Sequence, residues 1–327
     1  MAMLSEFYPA PAEWLPHFDR EVIDKVALAD LASKQGKCFE CPDFEMKIVQ
    51  DVHNYFASEL FAEIRLATAQ KRRLTVILPS PETSVFIGVA EALNKYNISA
   101  ECLNVYFLYE YANEKGEIAP PQSKYSRSGY FMKYFYEKLS PSLRPDYKNI
   151  HFFTKENVGS YSDMIEKDGG ADVAYTTLSW SGGIGAIDAE TYACKTLSEL
   201  KSKGSALVTP MPEAIAFDSM RGMFGCSGDI ANVPPCAATV GMRDIVNAKT
   251  RFDVEYLSNC GGNPSYQKFP VRLALLGPVC PENPAALLRT LPGFMVVSQG
   301  VANPGMYRGD IPELKKTIAE IAAKEGK

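Results

Sequence analysis

Glu110 stands between two tyrosines, Tyr109 and Tyr111, at the end of the apolar run Val105-Tyr-Phe-Leu108. In a parallel α/β sheet, ligands gather at the C-terminal ends of the strands. An acid on that strand-to-loop step can take or give a proton, with the Tyr109 hydroxyl as its partner. A phenol with a pKa near ~10 is a poor base at neutral pH. The ordinary alternative for Glu110 is a surface glutamate after a buried strand. A second group of residues suits an anion. Ser80-Pro-Glu-Thr83-Ser84 lies between an apolar run and a helical pattern, where backbone N–H groups and the hydroxyls of Ser80, Thr83 and Ser84 can converge on a phosphate. Pro81 removes one donor and Glu82 adds negative charge, so a simple helix cap is the competing explanation. Arg221 opens Arg-Gly-Met-Phe-Gly-Cys-Ser-Gly-Asp229, whose glycines suit an anion-binding nest. Ser179-Trp-Ser-Gly-Gly-Ile-Gly185 is glycine-rich as well, with Gly182 and Gly183 at its centre and Asp188 just beyond. Tight turns alone would also account for those glycines.

Other chemistries find little support. The glycine spacing Gly183-x-Gly185-x-x-Asp188 lacks the third glycine of a dinucleotide fingerprint, so no cofactor is expected. Cys38-Phe-Glu-Cys41 has zinc-like spacing without a second close pair, and His17, His53 and His151 are far apart. No metal is expected, and the eight cysteines are read as reduced.

The elements that must position these groups alternate in period. Helical patterns cover Arg20 to Ser33 and a long stretch capped by Asp43, with Ile48, Val52, Tyr55, Phe56, Leu60 and Ile64 on one face. Leu74–Leu78 and Leu103–Leu108 read as buried strands, separated by a helix from about Thr83 to Tyr96. A helix follows at about Ser126 to Leu139. Further strands are expected at Asn149–Phe153, Asp172–Thr176, Ala206–Thr209, Ala237–Val240, Phe252–Leu257 and Phe294–Ser298. Further helices are expected at Ser160–Lys167, Tyr266–Leu276, Pro284–Leu291 and Ile311–Lys324. Strands alternating with helices predict a three-layer, Rossmann-like α/β domain, a mostly parallel sheet with helices on both faces. Residues 43–327 are expected to form this single domain and residues 1–42 an N-terminal extension.

Hydrophobic content of 46% and charged content of 22% over 327 residues fit a soluble globular chain with a full core. A net charge of −5 offers no basic footprint for nucleic acid, and no apolar run is long enough to span a membrane. The acidic first residues do not form a secretion signal, so a cytoplasmic location is expected. A homo-oligomer is compatible with this composition.

Four segments, in order, resemble the glucosamine-6-phosphate deaminase/isomerase family, which is related to the 6-phosphogluconolactonases. Leu78-Pro-Ser-Pro-Glu-Thr-Ser84 is similar to its phosphate loop and Phe107-Leu-Tyr-Glu-Tyr111 to its Asp-Glu-Tyr segment. Trp180-Ser-Gly-Gly-Ile-Gly-Ala-Ile-Asp188 is similar to its Gly-His-Ile-Ala-Phe loop, and Val233-Pro-Pro-Cys-Ala-Ala-Thr-Val-Gly241 to its Val-Pro-x-x-Ala-x-Thr-Val-Gly segment. The resemblance covers roughly residues 45 to 300 and implies the family's α/β fold and a phosphosugar partner in carbohydrate metabolism. Residue by residue, Glu110 matches the second acid, while Tyr109 replaces the proton-carrying first acid. Ser181 replaces another acid and Gly183 the ring-opening histidine. Asp188 falls near a further family acid. Lys268 falls roughly where the family has a phosphate-contacting lysine, and Arg221 is the second cation that could hold a phosphate. The resemblance therefore implies either acid/base chemistry with a rebuilt set (Glu110, Tyr109, Asp188) or a non-catalytic phosphosugar sensor. A nucleotide-dependent oxidoreductase ranks below both.

Overall fold

The computed structural model describes residues 29–36, 39–79, 82–179, 182–188, 193–220, 222–255 and 267–303, together with residues 26, 320, 323 and 324. Seven strands form one wholly parallel sheet in the order β1 (Phe44–Val49), β10 (Gly293–Ser298), β9 (Thr250–Glu255), β6 (Val173–Thr176), β2 (Leu74–Leu78), β3 (Leu103–Phe107), β5 (Ile150–His151). Helices surround it, the arrangement expected of alternating strand and helix patterns. β2 and β3 are buried at every position, as strands covered on both faces must be. β6, β2 and β3 are parallel neighbours in this sheet.

The long helix α1 (Val52–Gln70) shows how sequence becomes packing. Val52, Phe56, Leu60, Ile64 and Ala67 recur every three or four residues and are all buried. Phe56 lies between Tyr175 of β6 and Phe252 of β9, at centroid distances of 4.9 and 5.7 Å. Burying one such ring contributes about 1.5–3 kcal/mol. The helix starts later than expected. Asp51 caps it, accepting the Asn54 N–H at 2.9 Å, whereas the residues after Asp43 form edge strand β1 against β10.

A second departure concerns the site. The chain does not enter a loop after Leu108. It turns there into β4 (Tyr109–Ala112), which joins β7 (Ala206–Val208) and β8 (Cys236–Thr239) in a small antiparallel sheet, order β4-β8-β7. Leu108 is the hinge between the sheets. Its N–H still bonds to Leu78 O of β2 at 2.9 Å, while its carbonyl accepts the Val240 N–H at 3.0 Å. Glu110 is thus a strand residue, and the strands expected at Ala206–Thr209 and Ala237–Val240 belong to this antiparallel layer.

Two expected helices take other forms, and a third cannot be compared. Ser126–Leu139 is a short α-helix, α3 (Ser128–Phe131), running into a π-helical turn at Met132–Tyr136; Pro284–Thr290 is 3-10; and Ile311–Lys324 lies almost wholly outside the described residues. Within the proposed N-terminal extension, Leu31 belongs to the core, and the Ala29 carbonyl accepts from Arg272 at 2.9 Å. Among the described residues no helix is long and apolar enough to cross a membrane.

Candidate functional site

Alternation along β4 sets the geometry. Successive strand side chains point to opposite faces, so Tyr109 and Tyr111 share one face and Glu110 takes the other. Glu110 is 1% exposed. Its carboxylate accepts five hydrogen bonds, from the N–H groups of Tyr111 (2.9 Å), Arg127 (2.7 Å) and Ser128 (2.8 Å) and the hydroxyls of Ser126 (2.9 Å) and Ser128 (2.8 Å). It sits at the N-terminus of α3, where a negative charge is favoured. Burial pushes its pKa up, and the Arg127 and Ser128 donors pull against that shift. Its oxygens are committed to holding the 126–128 turn.

The tyrosine face is the one that meets open space. A small cavity of about 50 Å³ is lined by Tyr109, Tyr111, Thr177, Ser179, Gly185, Asp188 and Asp218, among others. The Arg127 guanidinium lies 3.8 Å from the Tyr109 ring centroid, a cation–π distance, and donates to Tyr111 Oη at 3.2 Å. The Tyr111 hydroxyl donates in turn to Asp218 Oδ2 at 2.6 Å, at the end of α6 (Pro212–Asp218). A chain of polar contacts therefore runs Arg127, Tyr111, Asp218 along the cavity wall.

The glycine-rich loop forms the facing wall. Ser179 N–H donates to Gly183 O at 2.9 Å, and Gly183 N–H returns to Ser179 Oγ at 3.0 Å. A Cβ at Gly183 would lie 2.2 Å from Ile187 O, so no side chain fits where the family resemblance would put a histidine. Gly185 takes φ +63° and packs against Leu108, the hinge between the sheets. This turn delivers Asp188, 6% exposed, to the cavity.

Of the residues singled out from sequence, Tyr109 and Asp188 share the cavity, Glu110 backs it from the opposite face of β4, and Gly182 and Gly183 shape its loop. Thr83 and Ser84 open α2 (Thr83–Tyr96) without lining the cavity, half-buried and exposed respectively. Lys268 begins α8 (Lys268–Leu276), directly after the buried Gln267, whose amide donates to Thr177 Oγ1 at 3.3 Å. Ser80 and Arg221, like Ser181 and Cys38, lie outside the described residues.

Several residues of the site were not foreseen. Tyr111, Arg127 and Asp218 meet only through tertiary contacts. Asp253 and Glu255 did carry a signal, two acids at i and i+2 on either side of Val254 in a strand pattern. Both are fully buried on β9, beside the cavity segment Thr176–Leu178. Glu82, 5% exposed, stands at the start of α2 and its charge raises the Glu255 pKa further. Negative charge thus already occupies the end of the helix where a phosphate was expected.

No protein-family model matches the chain, and no curated protein matches it in sequence. Solved structures do match in fold. A monomeric glucosamine-6-phosphate deaminase superposes with a TM-score of 0.61 at 16% identity, covering 80% of this chain and 99% of that one. The 6-phosphogluconolactonase of Thermotoga maritima gives 0.55 at 11% identity, covering 78% and 99%. That of Leishmania guyanensis gives 0.55 at 11%, covering 80% and 98%. The fold implied by the four sequence segments is therefore the fold of this chain.

Proposed function

We propose that the chain handles a phosphosugar in carbohydrate metabolism, by isomerase- or deaminase-like acid/base chemistry at the cavity between β4 and the 177–188 loop. Asp188 is the acid/base and Tyr109 its hydroxyl partner. The observation that carries this is that an acid and a phenol share one cavity at the C-terminal edge of a parallel sheet, where such folds bind ligands. The shared fold of phosphosugar deaminases and lactonases supports the substrate class. Glu110 acts in this proposal as a positioning residue, because its carboxylate is held by five donors. With Glu82 at the α2 terminus, the phosphate is assigned to cations, Arg221 and Lys268, and to the Gly182–Gly183 backbone, with Ser80, Thr83 and Ser84 contributing hydroxyls. The cavity of about 50 Å³ falls below the ~300–1,000 Å³ usual for ligand pockets, so a hexose phosphate requires one wall to open.

A second proposal, a phosphosugar-binding protein without turnover, is favoured by the full engagement of Glu110 and the lack of side-chain room at Gly183. One experiment tests both. Ligand at 100 times its Kd stabilises a protein by about 2.7 kcal/mol, so thermal-shift screening against hexose phosphates is expected to show a clear rise in Tm. Turnover that is lost in Asp188→Asn while the shift remains supports the enzyme. A shift without turnover in the unaltered protein supports the binder, and no shift with any hexose phosphate refutes the site.

A further inference from the structure

Asp253 and Glu255 lie two residues apart on β9, so both side chains leave the same face of the strand. Each uses one oxygen to hold the neighbouring segment. Thr176 Oγ1 donates to Asp253 Oδ1, and the Leu178 N–H donates to Glu255 Oε1 at 2.8 Å. The other two oxygens, Asp253 Oδ2 and Glu255 Oε2, are buried, and no donor among the described residues reaches them. On the β10 side the register partners are Met295 and Val297, which offer no side-chain donor. From α2 the nearby charge is Glu82, of the same sign. Two bare carboxylate oxygens in such a place are strongly disfavoured. Like charges brought together without water lose one of their charges to a proton.

We propose that Asp253 and Glu255 share one proton at neutral pH and act as a positioning pair for the cavity wall, with Glu255 donating to Asp253 while their outer oxygens fix Leu178 and Thr176. The electrostatics agree. Burial first, then Asp253, pushes the Glu255 carboxyl well above its ordinary range, and burial raises Asp253 against bonds from Glu255 and Thr176. Because Thr177, Leu178 and Ser179 line the cavity, the protonation state of the pair sets the shape of its floor. This inference concerns the fold's own acids and stands whether or not a phosphosugar binds.

The sign of the pH dependence follows. A group whose folded pKa is raised takes up a proton on folding. Its contribution is fully present below the unfolded carboxylate pKa and is lost as pH rises toward the folded value. The experiment uses the full chain without ligand. Infrared spectra of the folded protein at pH 7 are expected to show a protonated-carboxylic C=O band that weakens in Asp253→Asn and in Glu255→Gln. Each amide can supply the missing hydrogen, so both variants are expected to fold. Urea titrations at several pH values are expected to show the wild-type folding equilibrium losing up to tenfold per pH unit above the carboxylate range, relative to Asp253→Asn. If either variant fails to fold, the wild-type band decides alone: it must be present in the folded chain and absent after unfolding at pH 7. No such band in the folded protein, or a band and pH slope unchanged in both variants, overturns the proposal.

Discussion

Glu110 and the Asp253–Glu255 pair are buried to the same degree beside the same cavity, yet their surroundings are opposite. Glu110 accepts from three backbone N–H groups and two hydroxyls. Asp253 and Glu255 together accept one hydroxyl and one N–H. Five donors can hold a carboxylate without a counter-ion. Two donors for four oxygens cannot. Burial alone therefore does not tell which acid can move a proton; the supply of donors does. In Glu110 the chain spends an acid to build a turn, and in β9 it keeps two acids whose lowest-energy state includes a proton.

The largest expected effect comes from removing the donor-rich acid. Glu110→Ala orphans up to five donors, and with each buried orphan costing about 1–3 kcal/mol and water recovering part, a loss of about 3–5 kcal/mol in urea stability is expected. Glu110→Gln is also expected to destabilise, by less, because one NH₂ would face the donors of the 126–128 turn. Wild-type stability in Glu110→Ala would mean that the turn does not depend on this carboxylate.

The donor-poor acids are expected to respond differently. Glu255→Met has similar volume, orphans the Leu178 N–H and leaves Asp253 to take up a proton of its own, so its cost at neutral pH is expected near the about 1–3 kcal/mol of one unsatisfied group. Apolar replacement of a poorly compensated buried acid also removes its desolvation penalty, which lowers the net cost further. A loss equal to that of Glu110→Ala, measured in the same urea titration, would erase the distinction between the two acid sites.

Much of this was legible in sequence, and the failures have physical causes. Leu74–Leu78, Leu103–Phe107 and Val173–Thr176 announce a parallel sheet because strands covered on both faces must be continuously apolar. The bend at Leu108 was hidden, since neither glycine nor proline marks it and Tyr109-Glu-Tyr111 continues the strand pattern. What turns the chain is the Val240 N–H, far along the sequence. Phe44–Val49 was read into the following helix because its apolar residues suit either period. Its pairing with β10, at the other end of the fold, decides the outcome. The surroundings of Glu110 were hidden for a related reason. Its position near a strand end was correct, but the face it takes depends on which sheet β4 joins. Asp188 was singled out because it falls near a family acid in the resembling loop, and it lines the cavity; Asp218 lines it too, but the residues around it carry no such signal.

The smallest expected effect lies on the opposite face of β4 from Glu110. Tyr111 is 2% exposed, and its hydroxyl accepts from Arg127 Nη1 and donates to Asp218 Oδ2. Tyr111→Phe keeps the ring contact with Phe224 at 5.6 Å and removes only the oxygen. Asp218 is near the surface end of α6 and can recruit water, so the loss is expected near that of one ordinary hydrogen bond, about 0.5–1.5 kcal/mol. The consequence should be local, because the hydroxyl links α6 to β4 rather than supporting the core. Limited proteolysis is therefore expected to cut near residues 212–220 sooner in Tyr111→Phe than in wild type, while the urea midpoint changes little. Unchanged proteolysis would show that α6 is held by packing alone. A loss as large as that of Glu110→Ala would show that the tyrosine face, not the glutamate face, carries the stability of the strand.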